Sequence, residues 1–311
     1  GTKKMTQKSL IVGFLGVFLS GIATIAAEDA PVEKTAFFCY RSFWPEFEAM
    51  RQFKGAGVNT VCMFAANTDN SLGQPYCQYP PVWRCFGKYD FDSLNKQFDD
   101  VLSVNPNADF ICMIDLNTPI WLQRQLALRG QSAECESFTM LSCACANPAW
   151  RKATGDYLEA VVRHMESRYG DRVRAYLLAC GQTDEWMDYS RGVAGRTKIQ
   201  AWKAWRRAHA KADVPVPSLE RLDRASFDNL IRDPSTEQDV VDYVQFTGDI
   251  VADTALEFAA KTRAPIPKHR QIGMFFGYIL ELSNRPRPEG VALACPPKGG
   301  ETRTRRPRWG R

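Results

Sequence analysis

A chain of 311 residues, 45% hydrophobic and 24% charged, has the composition of an ordinary globular protein and enough length to bury a sizeable core, as one large domain or two smaller ones. Its net charge of +5 comes from the ends: residues 1–27 hold three lysines and no acid, while residues 285–311 hold seven arginines and one lysine against two glutamates. The body, 28–284, therefore carries −4, which leaves no basic stripe for a polyanion and excludes nucleic acid as a partner.

Lys3, Lys4 and Lys8 precede an apolar stretch, Leu10–Ala26, with small residues before Glu28. This is the layout of a secretory signal over residues 1–27, with an uncleaved anchor as the competing reading and Met5 as an alternative start. Both readings export the body, so the expected location is secreted or periplasmic, with no membrane contact once the signal is removed. Thr35–Tyr40 reads as a first strand. Pro45 then opens a helix with Phe47, Met50 and Phe53 at helical spacing, stopped by Gly55 and Gly57. Val58–Phe64 is a second strand, leading into Asn67 and a long loop, rich in turn formers and aromatics, that runs to Trp83.

A helix over Asp92–Val104 follows, with Leu94, Phe98, Val101 and Leu102 on one face, and then a third strand, Asp109–Leu116. Past a further loop, Pro148–Tyr169 forms a helix with Trp150, Tyr157, Val161 and Met165 as its stripe and Gly170 as its stop. The fourth strand starts at Val173 and is ended by Gly181. Helices over Lys198–His209, with Ile199, Trp202 and Trp205, and over Thr236–Lys261 precede a fifth strand, Gln271–Leu280, and Glu281. Residues 285–311, crowded with Arg, Pro and Gly, read as a disordered basic tail, of the kind that reading a GC-rich gene out of frame produces; a native tail is the alternative. Strand and helix alternate through 28–284, which points to a parallel α/β fold.

Catalytic and binding groups of such folds sit just beyond the carboxyl ends of the strands. Collected there are Tyr40, Arg41, Trp44, Asn67, Asp115, Asn117, Trp121, Gln182, Asp184, Glu185, Trp186 and Tyr278. Acids, amides and aromatics are the groups that grip a sugar, so a carbohydrate is the expected partner. Glycosidic cleavage needs a pair of carboxyl groups, and Glu185, beside Trp186, is the candidate acid/base. The competing reading of this stretch is a loop of solvated acids. No phosphate-binding glycine loop or H-E-x-x-H motif occurs, and no cofactor is expected. The three histidines, His164, His209 and His269, are scattered and read as solvated. Of the ten cysteines, Cys39, Cys62, Cys112 and Cys180 lie in apolar runs and read as small buried groups, whereas Cys77, Cys85, Cys135, Cys143 and Cys145 are the disulfide candidates. Cys143 and Cys145 lack zinc-ligand spacing, so no metal site is expected.

The stretches Gly55–Val61 (GAGVNTV), Ile114–Trp121 (IDLNTPIW), Ala179–Trp186 (ACGQTDEW), Val216–Leu222 (VPSLERL) and Met274–Tyr278 (MFFGY) resemble the catalytic barrel of glycoside hydrolase family 42 and its β-galactosidase-like relatives. The likeness covers residues 35–283. It implies a (β/α)8 TIM-barrel fold, incomplete with about five strands present, and retaining chemistry. The implied acid/base is a Glu after the fourth strand, matched here by Glu185. The implied nucleophile is a Glu after the seventh, which this count of strands does not reach. Asp184 stands where many relatives have Asn, and Glu281 is the substitute candidate for the nucleophile. On this reading the chain is an exported glycoside hydrolase, cut short before its nucleophile. A catalytically inactive carbohydrate-binding barrel is the main alternative, and a cysteine-based metal or redox protein a weaker one. The sugar, the linkage and the oligomeric state are not legible.

Overall fold

Chains of apolar residues long enough for a strand, spaced by amphipathic helices, pair side by side once the helices cover them. In the structure, a computed structural model, residues 46–65, 79–130, 135–182, 184–190, 192, 194–223 and 232–276 are described, together with the backbone of 39–42. The elements in order are β1 (Cys39–Ser42), α1 (Phe47–Gly55), β2 (Thr60–Ala65), β3 (Trp83–Cys85), β4 (Lys88–Tyr89), α2 (Phe91–Val104), β5 (Asp109–Asp115), α3 (Ile120–Leu128), α4 (Leu141–Cys145), α5 (Pro148–Tyr169), β6 (Val173–Ala179), α6 (Arg196–Ala208), α7 (Leu219–Asp223), α8 (Pro234–Arg263) and β7 (Gln271–Gly273).

Five strands form one sheet in the order β1-β2-β5-β6-β7, and every neighbouring pair is parallel. The order follows the chain without reversal, and each crossover passes through at least one helix. That winding differs from an open doubly wound sheet, whose order turns back at a switch point. Side chains alternate between two faces with a period of two. Val61, Met63, Ala65, Phe110, Cys112, Ile114, Tyr176 and Leu178 join the large core shared with the helices, whereas Cys62, Phe64, Met113 and Ala179 form a smaller cluster with Tyr79 on the other face.

Helix boundaries follow from caps. The Asn147 side chain accepts from the backbone of Ala149 and Trp150, with Pro148 in the first turn of α5. Asp90 caps α2 through Ser93, and Asp233 caps α8 through Ser235, again ahead of a proline. In α5, Trp150, Tyr157, Leu158, Val161 and Met165 are fully buried, and each such side chain contributes about 2–3 kcal/mol. The helix lies close to α8, since a Cβ on Gly155 would come within 2.7 Å of the Lys261 side chain. Gly170 ends α5 as expected, but with φ of −50° it turns right-handed into a short 3-10 turn, Gly170–Arg172, and not into a left-handed cap.

The sequence reading missed the β3–β4 hairpin, α3, α4 and α7. Hairpin strands of three and two residues show too little alternation to register, and α4 (LSCAC) is buried on every side, so it has no apolar stripe. The cysteine reading is corrected in part. Cys85, Cys135, Cys143 and Cys145 are not in disulfides, and all but Cys85 are buried, Cys143 and Cys145 within α4; Cys77 lies outside the described residues. Burial pushes the Cys145 thiol up to about 12 and raises Cys180 well above its ordinary value, so these groups behave as small neutral hydrophobes. His164 is only partly solvated: its ring stacks on Phe91 at 4.0 Å, Nε2 lies 2.7 Å from Asn95 Oδ1, and burial lowers its pKa. No helix among the described residues is long and apolar enough to cross a membrane. The stretches 1–38 and 277–311, with the expected signal, the end of the fifth strand and the basic tail, lie outside them.

Candidate functional site

At the carboxyl end of β6 the chain leaves the sheet through Gly181, whose φ of +77° suits a residue without a side chain. A Cβ there would meet the Met187 carbonyl at 3.0 Å and Leu141 at 3.1 Å. The chain then folds back on itself. Asp184 N–H donates to the Gly181 carbonyl (3.2 Å), Glu185 N–H to Gln182 (3.3 Å) and Trp186 N–H to Cys180 (2.7 Å), while Gln182 and Met187 form a one-residue antiparallel bridge. Within this loop Asp184 (φ 64°) and Trp186 (φ 56°) both take the left-handed conformation. For a tryptophan this is an outlier, and each such residue stores about 1–3 kcal/mol of strain. Glu185 sits between them, half-buried.

Two anchors hold the loop in this shape. Trp186 is 3% exposed, meets the Phe258 ring edge to face at 6.2 Å, and donates its indole N–H to the Leu178 carbonyl at 2.9 Å. The other anchor is Asn117, fully buried. Its Oδ1 accepts from Gly181 N–H (2.9 Å) and Ser137 Oγ (2.8 Å), and its Nδ2 lies within donating distance of the Gly181 carbonyl (3.2 Å) and Asp184 Oδ1 (3.1 Å). Asp115 Oδ1 in turn accepts from the Asn117 backbone at 2.9 Å. The network continues outward: Ser137 Oγ accepts from Thr118 N–H at 2.8 Å, and Thr118 Oγ1 accepts from the Trp150 indole at 2.7 Å. A buried amide, hydroxyls, an indole and two carboxylates thus tie the ends of β5 and β6 and the start of α5 to the loop that carries Glu185.

The structure brings Asp115, Asn117, Gln182, Asp184, Glu185 and Trp186 together, with roles that differ from the sequence reading. Asn117 and Asp184 hydrogen-bond each other and the loop, and Trp186 is a core side chain with no open face for a sugar. Trp121 belongs elsewhere: it packs edge to face on Trp83 and Phe86 of the hairpin and donates its indole N–H to the Trp83 carbonyl. Tyr40 and Arg41 are on β1, described in backbone only; Asn67, Tyr278 and Glu281, with Trp44, lie outside the described residues. Of the expected carboxylates whose side chains are described, Asp115 and Asp184 are buried and Glu185 is half-buried. Its charge reaches Tyr189, whose phenol is pushed up by burial first and by Glu185 second.

Missed in the sequence were Ser142, Ser190 and Lys198, which lie against the returning limb of the loop. A signal existed for one. Lys198, Trp202 and Arg206 recur at four-residue spacing and form the buried face of α6, whereas Ile199, read as part of the stripe, is 38% exposed. No three His, Cys, Asp or Glu side chains converge as a metal site among the described residues.

No family model matches the chain, and no curated protein matches it. Among solved structures it is similar to the β-galactosidase from the psychrophilic Marinomonas ef1, at 12% identity over 76% of this chain and 36% of that one, with a TM-score of 0.46. It is also similar to the catalytic domain of β-amylase from Paenibacillus polymyxa (11% identity, 73% and 63% covered, TM-score 0.48) and to α-L-fucosidase isoenzyme 2 from Paenibacillus thiaminolyticus (13%, 73% and 29%, 0.36). The chain spans between 29% and 63% of the lengths of these three proteins.

Proposed function

We propose that this chain is a glycoside hydrolase of β-galactosidase type, its sheet an arc of a (β/α) barrel, in which Glu185 is the proton donor. The observation that carries the reading is the placement of Glu185 at the carboxyl end of β6 between two left-handed non-glycine residues. Strain of this kind persists only where the surroundings over-determine it, and it clusters at functional sites. Here a buried amide network and a core tryptophan hold it. In the proposed chemistry Glu185 gives its proton to the departing glycosidic oxygen and then, as a carboxylate, takes one from the water that completes hydrolysis. The second carboxylate is assigned to Glu281 on the sequence alone. A secreted or periplasmic location, from residues 1–27, is part of the same proposal.

Glu185→Gln tests it, because the amide keeps the shape and removes the acid. Turnover of an alkyl or sugar β-galactoside, whose leaving group needs protonation, is expected to fall about 10²–10⁴-fold, and that of an activated aryl β-galactoside far less. Unchanged turnover of the poor leaving group removes Glu185 from the chemistry. A carbohydrate-binding barrel without activity would instead bind the sugar equally well before and after the substitution and turn over neither substrate.

A further inference from the structure

Behind the loop lies a buried polar cluster that the proposed chemistry does not use. Lys198, in the first turn of α6, is fully buried. Its ammonium donates to Ser142 Oγ at 2.7 Å and to Ser190 Oγ at 3.1 Å, and the two hydroxyls stand 3.0 Å apart. Ser190 Oγ donates to Asp188 Oδ2 at 2.9 Å, while Asp188 Oδ1 accepts from the backbone N–H of Ser142 (3.1 Å) and of Ser190 (3.2 Å). A serine has one hydroxyl hydrogen. With that of Ser190 on Asp188, the hydrogen between the two serines is Ser142's, and the polarity runs in one direction from ammonium through two hydroxyls to carboxylate. The ring of Tyr243, from α8, lies under the ammonium with its centroid 5.3 Å away.

Two serines, a lysine and an acid have the composition of a nucleophile with its base. Access decides against that use: Ser142 and Lys198 are 0% and Ser190 3% exposed, so no substrate carbonyl reaches either hydroxyl. The cluster's connections point to another role. Ser190 and Asp188 belong to the segment that leaves Glu185, and they are held from outside the loop by Lys198 of α6 and Ser142 of α4. A buried ammonium tolerates little displacement of the groups that answer its charge, since each bond it loses is not replaced by water in a dry interior. Asn117 fixes the limb entering the loop, and this chain of bonds fixes the limb leaving it.

We infer that Lys198 is a positioning residue for Glu185, acting through Ser142, Ser190 and Asp188 to set the returning limb of the loop. The inference rests on the reading of Glu185 as the proton donor. Two readouts on the full chain test it, in Lys198→Met and in the milder Ser190→Ala. Hydrogen exchange of the amides of 184–190 is expected to speed at least about tenfold while those of β5 and β6 stay unchanged. On a poor leaving group kcat is expected to fall about tenfold at unchanged KM, with the activated aryl substrate nearly unaffected. Should Lys198→Met fail to fold, Ser190→Ala decides. Exchange in 184–190 that is unchanged, or raised equally throughout the sheet, overturns the inference. The exchange readout does not depend on glycoside turnover, so its failure is distinct from a failure of Glu185→Gln, which would overturn the proposed activity instead.

Discussion

The two ends of the same strands are built from different materials. At the amino ends of β5, β6 and β7 the joints are charged: Arg172 donates to the Pro106 and Ala108 carbonyls, Arg174 pairs with Asp109 at 2.8 Å, and Arg270 pairs with Glu166 at 2.9 Å, beside the Tyr176 hydroxyl. Glu166, Arg168, Tyr169 and Arg172 also line an open cavity of about 600 Å³ there. At the carboxyl ends the joints are short buried amides, hydroxyls and carboxylates around a strained backbone, and the cation that holds the returning limb, Lys198, is itself fully buried, unlike Arg172 and Arg174. The third left-handed non-glycine residue among those described, Ala210, follows the end of α6, where such a conformation is an ordinary helix stop. Long flexible cations hold a relaxed backbone adequately. A left-handed tryptophan needs short groups with few rotamers, or a long one immobilised by burial, because those forbid the loop its easier conformations. Rigidity at one end of the sheet is thus a sign of where geometry matters.

The largest effect expected from this contrast is that of Asn117→Ala. It removes the partners of Gly181 and Asp184 in a dry site and should lower stability by about 3 kcal/mol in urea denaturation; a loss below about 1 kcal/mol would mean that the amide network does not hold the loop. Gly181→Ala follows, at about 2 kcal/mol, because a side chain there is both left-handed and pressed against the Met187 carbonyl.

The amino end is sharpened by alkali. Burial, with the Asp99 charge and against the pull of Arg168, pushes the Tyr169 phenol up to about 12. An unfolded tyrosine ionises near 10, so this group's contribution is complete below pH of about 10 and is lost as pH climbs to about 12, on the order of 1 kcal/mol. Denaturation across that window should show the slope in the parent and a smaller one in Tyr169→Phe. Smallest is Arg174→Ala, whose side chain is 53% exposed. A change within about 0.5 kcal/mol is expected, and a loss near that of Asn117→Ala would erase the distinction between the two ends.

Much of the frame was readable from periodicity. Asp109–Leu116 and Val173 onward became β5 and β6 nearly to the residue, and the helix from Pro148 to Tyr169 was legible because its cap, its proline and its stripe agree. The site was legible only in outline. That polar groups gather where β6 ends follows from the sequence, but which of them bond to one another does not. Asn117 and Asp184 are 67 residues apart and meet only because β5 and β6 are neighbours. Trp186 reads as an aromatic platform until the left-handed turn swings its ring into the core. Lys198 was passed over because a cation at four-residue spacing from a tryptophan looks like a solvated edge of the stripe, and its partners come from α4 and from beyond Glu185.

The unbridged thiols lend the fold an internal clock. Cys62, Cys112, Cys135, Cys143, Cys145 and Cys180 are sealed in, and Cys85 is partly open. A neutral alkylating reagent will therefore modify Cys85 at once and each of the others only at the rate at which its surroundings breathe. Cys62 and Cys112 lie on opposite faces of the sheet, and Cys180 lies directly beneath the turn that carries Glu185. The order in which these sulfurs are captured would trace, without any engineered label, which layer of the molecule loosens first.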